Sequence, residues 1–142
     1  MSSFATTSPL SLAEPGRVLC VDDDPASLRL LLASLARAGR LIECVCDGAH
    51  ALEQFADDPC RYDVLVTDHI MPGMDGLALV GQLRELGFEG EVIVTSAQIT
   101  SEEAMRYYEW GCRLVLNKPL DVARLRSTVE TALAENAVAV VR

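Results

Sequence analysis

Residues 64–76 read VLVTDHIMPGMDG. The first five of them form a short apolar, β-branched run that ends on a carboxylate, Asp68, and such a run is typical of a buried strand. The Pro and Gly residues that follow predict a tight turn, and we expect the next helix to begin at Gly76. Asp68 is therefore predicted to stand at one edge of a sheet.

Four further runs of this kind occur along the chain, and segments with helical spacing lie between them. Strands are predicted at residues 18–21, 41–45, 64–68, 92–95 and 114–117. Helices are predicted at residues 25–38, where Gly39 ends the helix, and near residues 48–56, 76–86, 101–110 and 121–135, with Ser101 and Asp121 as caps of the last two. The first helix has an apolar stripe at helical spacing, formed by Leu28, Leu31, Leu32 and Leu35. This alternation predicts an α/β fold around a parallel five-stranded sheet.

Composition restricts the classes of protein that fit. The chain has 142 residues, of which 50% are hydrophobic and 23% charged, about the size of one domain. Twelve basic against 21 acidic residues give a net charge of −9, which opposes direct nucleic-acid binding. No apolar stretch approaches the roughly 20 residues that span a bilayer. We interpret residues 1–16 as a flexible N-terminal tail and expect a cytoplasmic protein without a membrane segment.

The cysteines predict no metal chemistry. Their number is odd, they lack Cys-x-x-Cys spacing, and mostly apolar neighbours favour reduced, structural thiols; they are Cys20, Cys44, Cys46, Cys60 and Cys112. The two histidines, His50 and His69, do not complete a zinc motif. For His69 we favour an exposed position in the loop, although it borders Asp68 and could tune the chemistry there.

Polar side chains follow four of the five predicted strands. They are Asp22, Asp23 and Asp24 after the first strand, Asp68 at the end of the third, Ser96 directly after the fourth, and Lys118 after the fifth. Because the carboxyl ends of parallel strands share one edge of a sheet, we expect these groups to converge in a crevice. Asp24 is the exception, since an aspartate directly before Pro25 is typical of a helix N-cap. We interpret Asp75 in the same way.

The converging groups favour phosphoryl chemistry. Clustered carboxylates repel one another unless an oxygen-binding cation lies between them, and Mg²⁺ suits a site with few protein ligands. Asp68 could act as the nucleophile that accepts a phosphoryl group. Lys118 could neutralise that group, and Ser96 could donate a hydrogen bond to its oxygens.

These motifs together resemble the receiver domain of response regulators, which is CheY-like. The resemblance rests on residues 21–25 (VDDDP), 68–76 (DHIMPGMDG), 95–97 (TSA) and 117–119 (NKP). It implies a flavodoxin-like (βα)₅ three-layer sandwich with strand order 2-1-3-4-5. It also implies a receiver domain over residues 17–136. We expect residues 137–142 to be a C-terminal extension without an output domain, so that the chain is either a stand-alone receiver or a piece excised from a larger protein.

The resemblance assigns roles residue by residue. It makes Asp68 the phosphoacceptor and a metal ligand, Asp23 a direct Mg²⁺ ligand, and Asp22 a ligand acting partly through water. The backbone carbonyl of Ile70 would complete the metal site, and Lys118 and Ser96 would contact the phosphoryl group. The implied donor is a histidine kinase or a histidine phosphotransfer protein. The implied output is an unknown downstream protein that binds the face formed by the fourth helix, fifth strand and fifth helix, with the receiver a monomer or a phosphorylation-dependent dimer.

The sequence departs from the family at the switch. Receivers usually carry Tyr or Phe three residues before the lysine, as a ring that turns inward when the serine or threonine hydroxyl moves, but this chain has Val115. Valine has no ring to swing, so we expect the fourth helix to move as a unit instead. That helix carries Tyr107, Tyr108 and Trp110, which helical spacing cannot bury together, and we expect some aromatic surface.

Two other functions remain open. A small Mg²⁺ phosphohydrolase with an aspartyl-phosphate intermediate uses the same groups, but it needs an acid or base where Ile70 stands. A phosphorylation-independent, receiver-like interaction module would accommodate Val115. We expect no enzymatic activity beyond the domain's own phosphorylation and dephosphorylation.

Overall fold

One parallel sheet organises the chain. The structure is a computed structural model that describes residues 16–37 and 39–141. Within these residues the sheet has five strands, β1 (Arg17–Val21), β2 (Leu41–Val45), β3 (Val64–Asp68), β4 (Glu91–Ser96) and β5 (Leu114–Asn117). The helices are α1 (Pro25–Leu35), α2 (Gly48–Phe55), α3 (Gly76–Glu85), α4 (Ser101–Glu109) and α5 (Val122–Val141). The strand order β2-β1-β3-β4-β5 confirms the predicted flavodoxin-like topology.

Helices cover both faces of the sheet, which gives the three layers. In β1, Leu19 and Val21 point to the layer of α2, α3 and α4, whereas Val18 and Cys20 point to the layer of α1 and α5. The first core contains Ala51, Phe55, Leu79, Leu83 and Tyr107. The second contains Leu31, Leu35, Leu125, Val129 and Ala132. Because the central strand β3 is buried along its whole length, it is apolar up to Thr67 and Asp68.

Helix α1 is shorter than predicted. It ends at Leu35, whose carbonyl oxygen accepts a hydrogen bond of 2.8 Å from the guanidinium of Arg40. Gly39 has a φ of +80° and lies in the turn before β2 rather than at the end of the helix, while the predicted last residue, Ala38, lies outside the described residues. The apolar stripe of this helix is also narrower than predicted, because the side chain of Leu32 is 44% exposed.

Helix α4 has a different N-cap from the one predicted. Thr100, not Ser101, caps the helix, and its hydroxyl accepts a hydrogen bond from the backbone N–H of Glu103. The Glu103 carboxylate in turn accepts from the backbone N–H of Thr100, which completes a capping box. The sequence predicts the cap at Ser101, one residue too late along the chain. At α5, Asp121 caps the helix by accepting from the N–H of Arg124, as predicted.

Helix α5 continues to Val141, past the predicted end near Glu135. Residues 136–141 contain neither Gly nor Pro, so nothing in the sequence stops the helix there. No helix within the described ranges combines the length and the apolar character needed to cross a bilayer.

The cysteines are free, and three of the five are exposed. Cys20 and Cys112 are buried, whereas Cys44, Cys46 and Cys60 are exposed. Cys44 and Cys46 lie in or directly after β2, which is an edge strand of the sheet. The apolar neighbours of these two residues therefore do not indicate burial of the thiols.

Candidate functional site

Three carboxylates meet at the carboxyl edge of the sheet. Asp22 and Asp23 follow β1 and Asp68 ends β3, and these two strands are neighbours. One oxygen of each carboxylate lies within 4.8 Å of the others. Asp22 and Asp68 are buried, whereas Asp23 is exposed, so the cluster opens to solvent on one side. The structure therefore brings the carboxylates of Asp22, Asp23 and Asp68 together, as the sequence predicts.

Lys118 places a positive charge against the two buried carboxylates. Its Nζ lies 3.0 Å from Oδ2 of Asp22 and 3.4 Å from Oδ1 of Asp68. Burial lowers the pKa of Lys118, but the hydrogen bond with Asp22 and the charges of both aspartates outweigh it, so this pKa lies above its ordinary value. The lysine is therefore a permanent cation at the site.

The surroundings of Asp68 work against its ionisation. Burial, and next the negative charge of Asp22, raise the pKa of Asp68 above its ordinary value, although Lys118 opposes the rise. Oδ1 of Asp68 also accepts a hydrogen bond of 3.0 Å from the backbone N–H of His69. A cation added to the cluster would offset the repulsion between these carboxylates and favour the charged form of Asp68.

The aspartates interpreted as caps have that role. Asp24 accepts from the N–H of Ala26 at 3.2 Å and caps α1, and Asp75 accepts from the N–H of Ala78 at 2.8 Å and caps α3. The backbone N–H of Asp24 donates to Oδ1 of Asp22 at 2.9 Å. Asp24 thus orients a member of the cluster through its backbone while its own carboxylate stays at the helix.

Ser96 and Ile70 lie at the same carboxyl edge of the sheet as the cluster. Ser96 ends β4 and is fully buried, and its hydroxyl donates to the carbonyl oxygen of Gln98 at 2.7 Å. It therefore holds the loop after β4. Ile70 is 57% exposed in the loop after β3, two residues beyond Asp68.

His69 is not exposed, which corrects the sequence prediction. Its side chain is buried, Nδ1 lies 2.6 Å from the hydroxyl of Tyr107, and Nε2 lies 3.3 Å from the carboxylate of Glu103. Both partners belong to α4, four residues apart and thus on one side of the helix. That spacing is the only sequence signal for the contact, and it cannot identify a partner in a distant loop.

Of the three aromatic residues near the end of α4, one is buried and two are exposed, as their spacing predicts. Tyr107 is fully buried, whereas Tyr108 is 48% and Trp110 39% exposed. The hydroxyl of Tyr108 accepts a hydrogen bond from the backbone N–H of Val115 at 3.2 Å, so the ring lies against β5. Val115 packs on the edge of the first core and places no ring near the cluster.

Comparisons with known proteins agree with this geometry. The sequence profile of the response regulator receiver domain matches residues 18–130. Response regulator MprA of Mycobacterium ulcerans is 36% identical over 117 residues, which cover 82% of this chain and 50% of that protein. The sensory/regulatory protein RpfC of Xanthomonas campestris pv. campestris is 34% identical over 117 residues, which cover 80% of this chain and 16% of that protein. The chain thus spans half or less of the length of these relatives.

A solved structure shows the same fold. The receiver domain of the Francisella response regulator 1452 matches with a TM-score of 0.76 and 27% identity, over 85% of this chain and 98% of that one. The fold, the acidic edge and these similarities define a signalling protein of the two-component class. The chain belongs to the response regulator receiver domain family, as its motifs predict.

Proposed function

We propose that this receiver is switched by phosphorylation of Asp68. The donor is a phosphohistidine on a histidine kinase or on a histidine phosphotransfer protein. The supporting observation is the position of Asp68 in a cluster of three carboxylates with the Nζ of Lys118 only 3.4 Å from its Oδ1. An isolated carboxylate at the end of a strand would need no such cation.

In the transfer, a carboxylate oxygen of Asp68 attacks the phosphorus atom. The bond between phosphorus and the donor nitrogen breaks, that nitrogen keeps the electron pair and takes a proton, and the product is an aspartyl phosphate. Lys118 binds an oxygen of the incoming group and offsets its charge. Ser96 exchanges its hydrogen bond with Gln98 for one with a phosphoryl oxygen.

The acidic cluster fits Mg²⁺, which we propose as the cofactor. Three carboxylate oxygens within 4.8 Å of one another form an all-oxygen donor set, and the exposed position of Asp23 leaves room for water and phosphoryl ligands. Asp22, Asp23 and Asp68 would hold the ion, with the backbone carbonyl of Ile70 as a further ligand. When bound, the ion supplies positive charge that offsets the repulsion between the carboxylates and the phosphoryl oxygens.

The output is a change in binding to a downstream protein. Receivers of this family act with histidine kinases and downstream effectors, so the domain signals rather than turning over a substrate. We propose the face of α4, β5 and α5 as the binding surface, because Tyr108 of α4 is 48% exposed and its hydroxyl accepts a hydrogen bond from the backbone N–H of Val115 in β5. We also propose that the protein acts in the cytoplasm, where it would meet such a partner.

Intact mass spectrometry tests the proposal. The chain is incubated with a small-molecule phosphodonor, with and without Mg²⁺, alongside Asp68→Asn and a matched control, Asp75→Asn. We expect one Mg²⁺-dependent phosphoryl adduct on the natural chain and on Asp75→Asn, because asparagine also caps helices, and none on Asp68→Asn. An adduct that persists on Asp68→Asn refutes the assignment.

The same variant separates the interaction-module alternative. If the natural chain forms no adduct and binds no Mg²⁺, and Asp68→Asn retains full binding to the downstream partner, the domain works without phosphorylation. Loss of partner binding in Asp68→Asn alone, at unchanged stability, supports the phosphorylation switch.

A further inference from the structure

The imidazole of His69 joins the loop after β3 to helix α4. Its two ring nitrogens face two residues of α4, Tyr107 at 2.6 Å and Glu103 at 3.3 Å. With the ring proton on Nε2, His69 donates to the Glu103 carboxylate, and its Nδ1 accepts from the Tyr107 hydroxyl. Burial raises the pKa of the Tyr107 phenol well above its ordinary value, so this hydroxyl keeps the proton that it donates.

The backbone of His69 is tied to the phosphoacceptor. Its N–H lies 3.0 Å from Oδ1 of Asp68 and 2.9 Å from the carbonyl oxygen of Thr95, and its carbonyl oxygen accepts from the N–H of Gly76 at 2.8 Å. One residue therefore contacts the reacting carboxylate through its amide and α4 through its ring. A displacement of the amide moves the ring with it.

The hydroxyl of Tyr107 is confined at this junction. A Cβ atom placed on Gly76 would lie 2.5 Å from that hydroxyl and 2.5 Å from the carbonyl oxygen of Asp68. Tyr107, the first residue of α3 and the end of β3 are thus packed without spare space. Packed interfaces of this kind move between discrete arrangements instead of absorbing small shifts.

The side chain at position 115 cannot link Asp68 to α4 in place of His69 and Tyr107. Val115 has no hydrogen-bonding side chain, and its backbone N–H already donates to Tyr108 on the exposed side of α4. The buried aromatic ring next to the site belongs to α4 itself, on Tyr107.

We propose that Tyr107 and His69 are positioning residues that transmit the state of Asp68 to α4, with Glu103 holding the second ring nitrogen. The inference rests on the proposed phosphorylation of Asp68 and specifies how it reaches the surface. A group bound to Asp68 changes the hydrogen bond that Oδ1 accepts from the His69 amide, the ring follows, and the hydrogen bond from Tyr107 carries the shift into the helix.

Beryllofluoride, a phosphoryl mimic, provides the test. Fluorine NMR measures its occupancy at Asp68 in the presence of Mg²⁺, and the fluorescence of Trp110, the one tryptophan, reports the end of α4. At equal saturation of Asp68, we expect Tyr107→Phe to reduce the fluorescence response by about fivefold or more relative to the natural chain. The matched control is Tyr62→Phe, which removes the hydroxyl of another buried tyrosine, one that bonds Glu43 and Gln54 rather than α4, and should leave the response unchanged.

A second variant breaks the link from the other side. His69→Leu keeps the backbone N–H but removes both ring nitrogens, and we expect the same loss as for Tyr107→Phe. If the two residues act in one link, the double variant loses no more than the larger single loss. If circular dichroism shows that Tyr107→Phe does not fold, the fluorescence response of His69→Leu alone tests the inference.

The outcomes separate the inference from the proposed function. A full fluorescence response in saturated Tyr107→Phe or His69→Leu, or no response in the saturated natural chain, overturns the inference and leaves the phosphoacceptor role intact. If beryllofluoride does not bind the natural chain at Asp68, the proposed function fails and the inference fails with it.

Discussion

Gly76 occupies the tightest point between the candidate site and α4, and Gly76→Ala is the most informative single change. The residue begins α3, directly after the cap Asp75. An added methyl group would lie 2.5 Å from the carbonyl oxygen of Asp68, 2.5 Å from the Tyr107 hydroxyl and 3.2 Å from Cα of His69. Two of these neighbours are backbone atoms at the end of β3, so the methyl group cannot be accommodated by rotating one side chain.

The magnitude follows from two opposing terms. Overpacking of a well-packed region costs about 1 to 3 kcal/mol, and the upper part of that range applies where backbone must move. Alanine regains up to about 1 kcal/mol over glycine in a helix, and less at its first residue. We therefore expect Gly76→Ala to lower the free energy of unfolding by about 2 kcal/mol, which corresponds to a fall in Tm of about 6 °C for a domain of this size.

Urea denaturation and thermal unfolding measure this loss, and Gly81→Ala is the matched control. Gly81 lies within the same helix, and its added methyl group would come closest to the edge of the Trp110 ring, at 3.2 Å, and this ring is partly exposed and can shift. We expect Gly81→Ala to be neutral or slightly stabilising. If Gly76→Ala is as stable as the natural chain, the close packing of α3, Tyr107 and the end of β3 is refuted.

Three further predictions concern the helix cap, a thiol and the phosphoryl lifetime. Thr100→Ala removes the capping box and should cost about 1 kcal/mol of stability, whereas Ser101→Ala should cost less than about 0.5 kcal/mol; equal losses in urea denaturation would contradict this assignment of the cap. A hydrogen bond with Cys20 lowers the pKa of Cys44 to about 7. The thiolate fraction therefore rises as the pH increases through about 7, and the alkylation rate of Cys44 with iodoacetamide should reach half its maximum there. Cys20→Ala should move that midpoint upward, and an unmoved midpoint would show that Cys20 is not the cause. Ile70→Asn should shorten the lifetime of the aspartyl phosphate, since asparagine can orient an attacking water and isoleucine cannot; slower loss of phosphate from the variant would reverse the argument.

Much of the fold can be predicted from local patterns. The strands at residues 41–45, 64–68 and 114–117 occur where predicted, because short, mostly apolar, β-branched runs bounded by polar residues or turns are typical of strands at the edge of the sheet as well as at its centre. The caps Asp24, Asp75 and Asp121 are also predicted correctly, because an N-cap interaction is local. Errors occur where a local pattern has two solutions, as at α4, where Thr100 and Ser101 can both cap and only Thr100 has Glu103 three residues later.

The acidic cluster could be predicted because the edge of a parallel sheet brings strand ends together whatever the details of packing. Asp22, Asp23, Asp68 and Lys118 are all close to strand ends, and the structure brings them together. The burial of His69 could not be predicted in this way. Its partners belong to a helix more than 30 residues later in the chain, and no local pattern in the sequence shows whether a loop side chain turns toward that helix.

The sequence by itself thus determined the order of strands and helices, the edge at which the chemical groups collect, and the family resemblance that the comparisons confirm. These properties depend on side-chain periodicity and on short-range hydrogen bonds, which a sequence displays directly. Only the tertiary structure decided that the buried ring near Asp68 comes from α4, on Tyr107, and contacts His69. It also decided that the cysteines of the edge strand β2 are exposed. Both depend on which elements pack against each other across the sheet, and packing between distant segments has no local signature in the sequence.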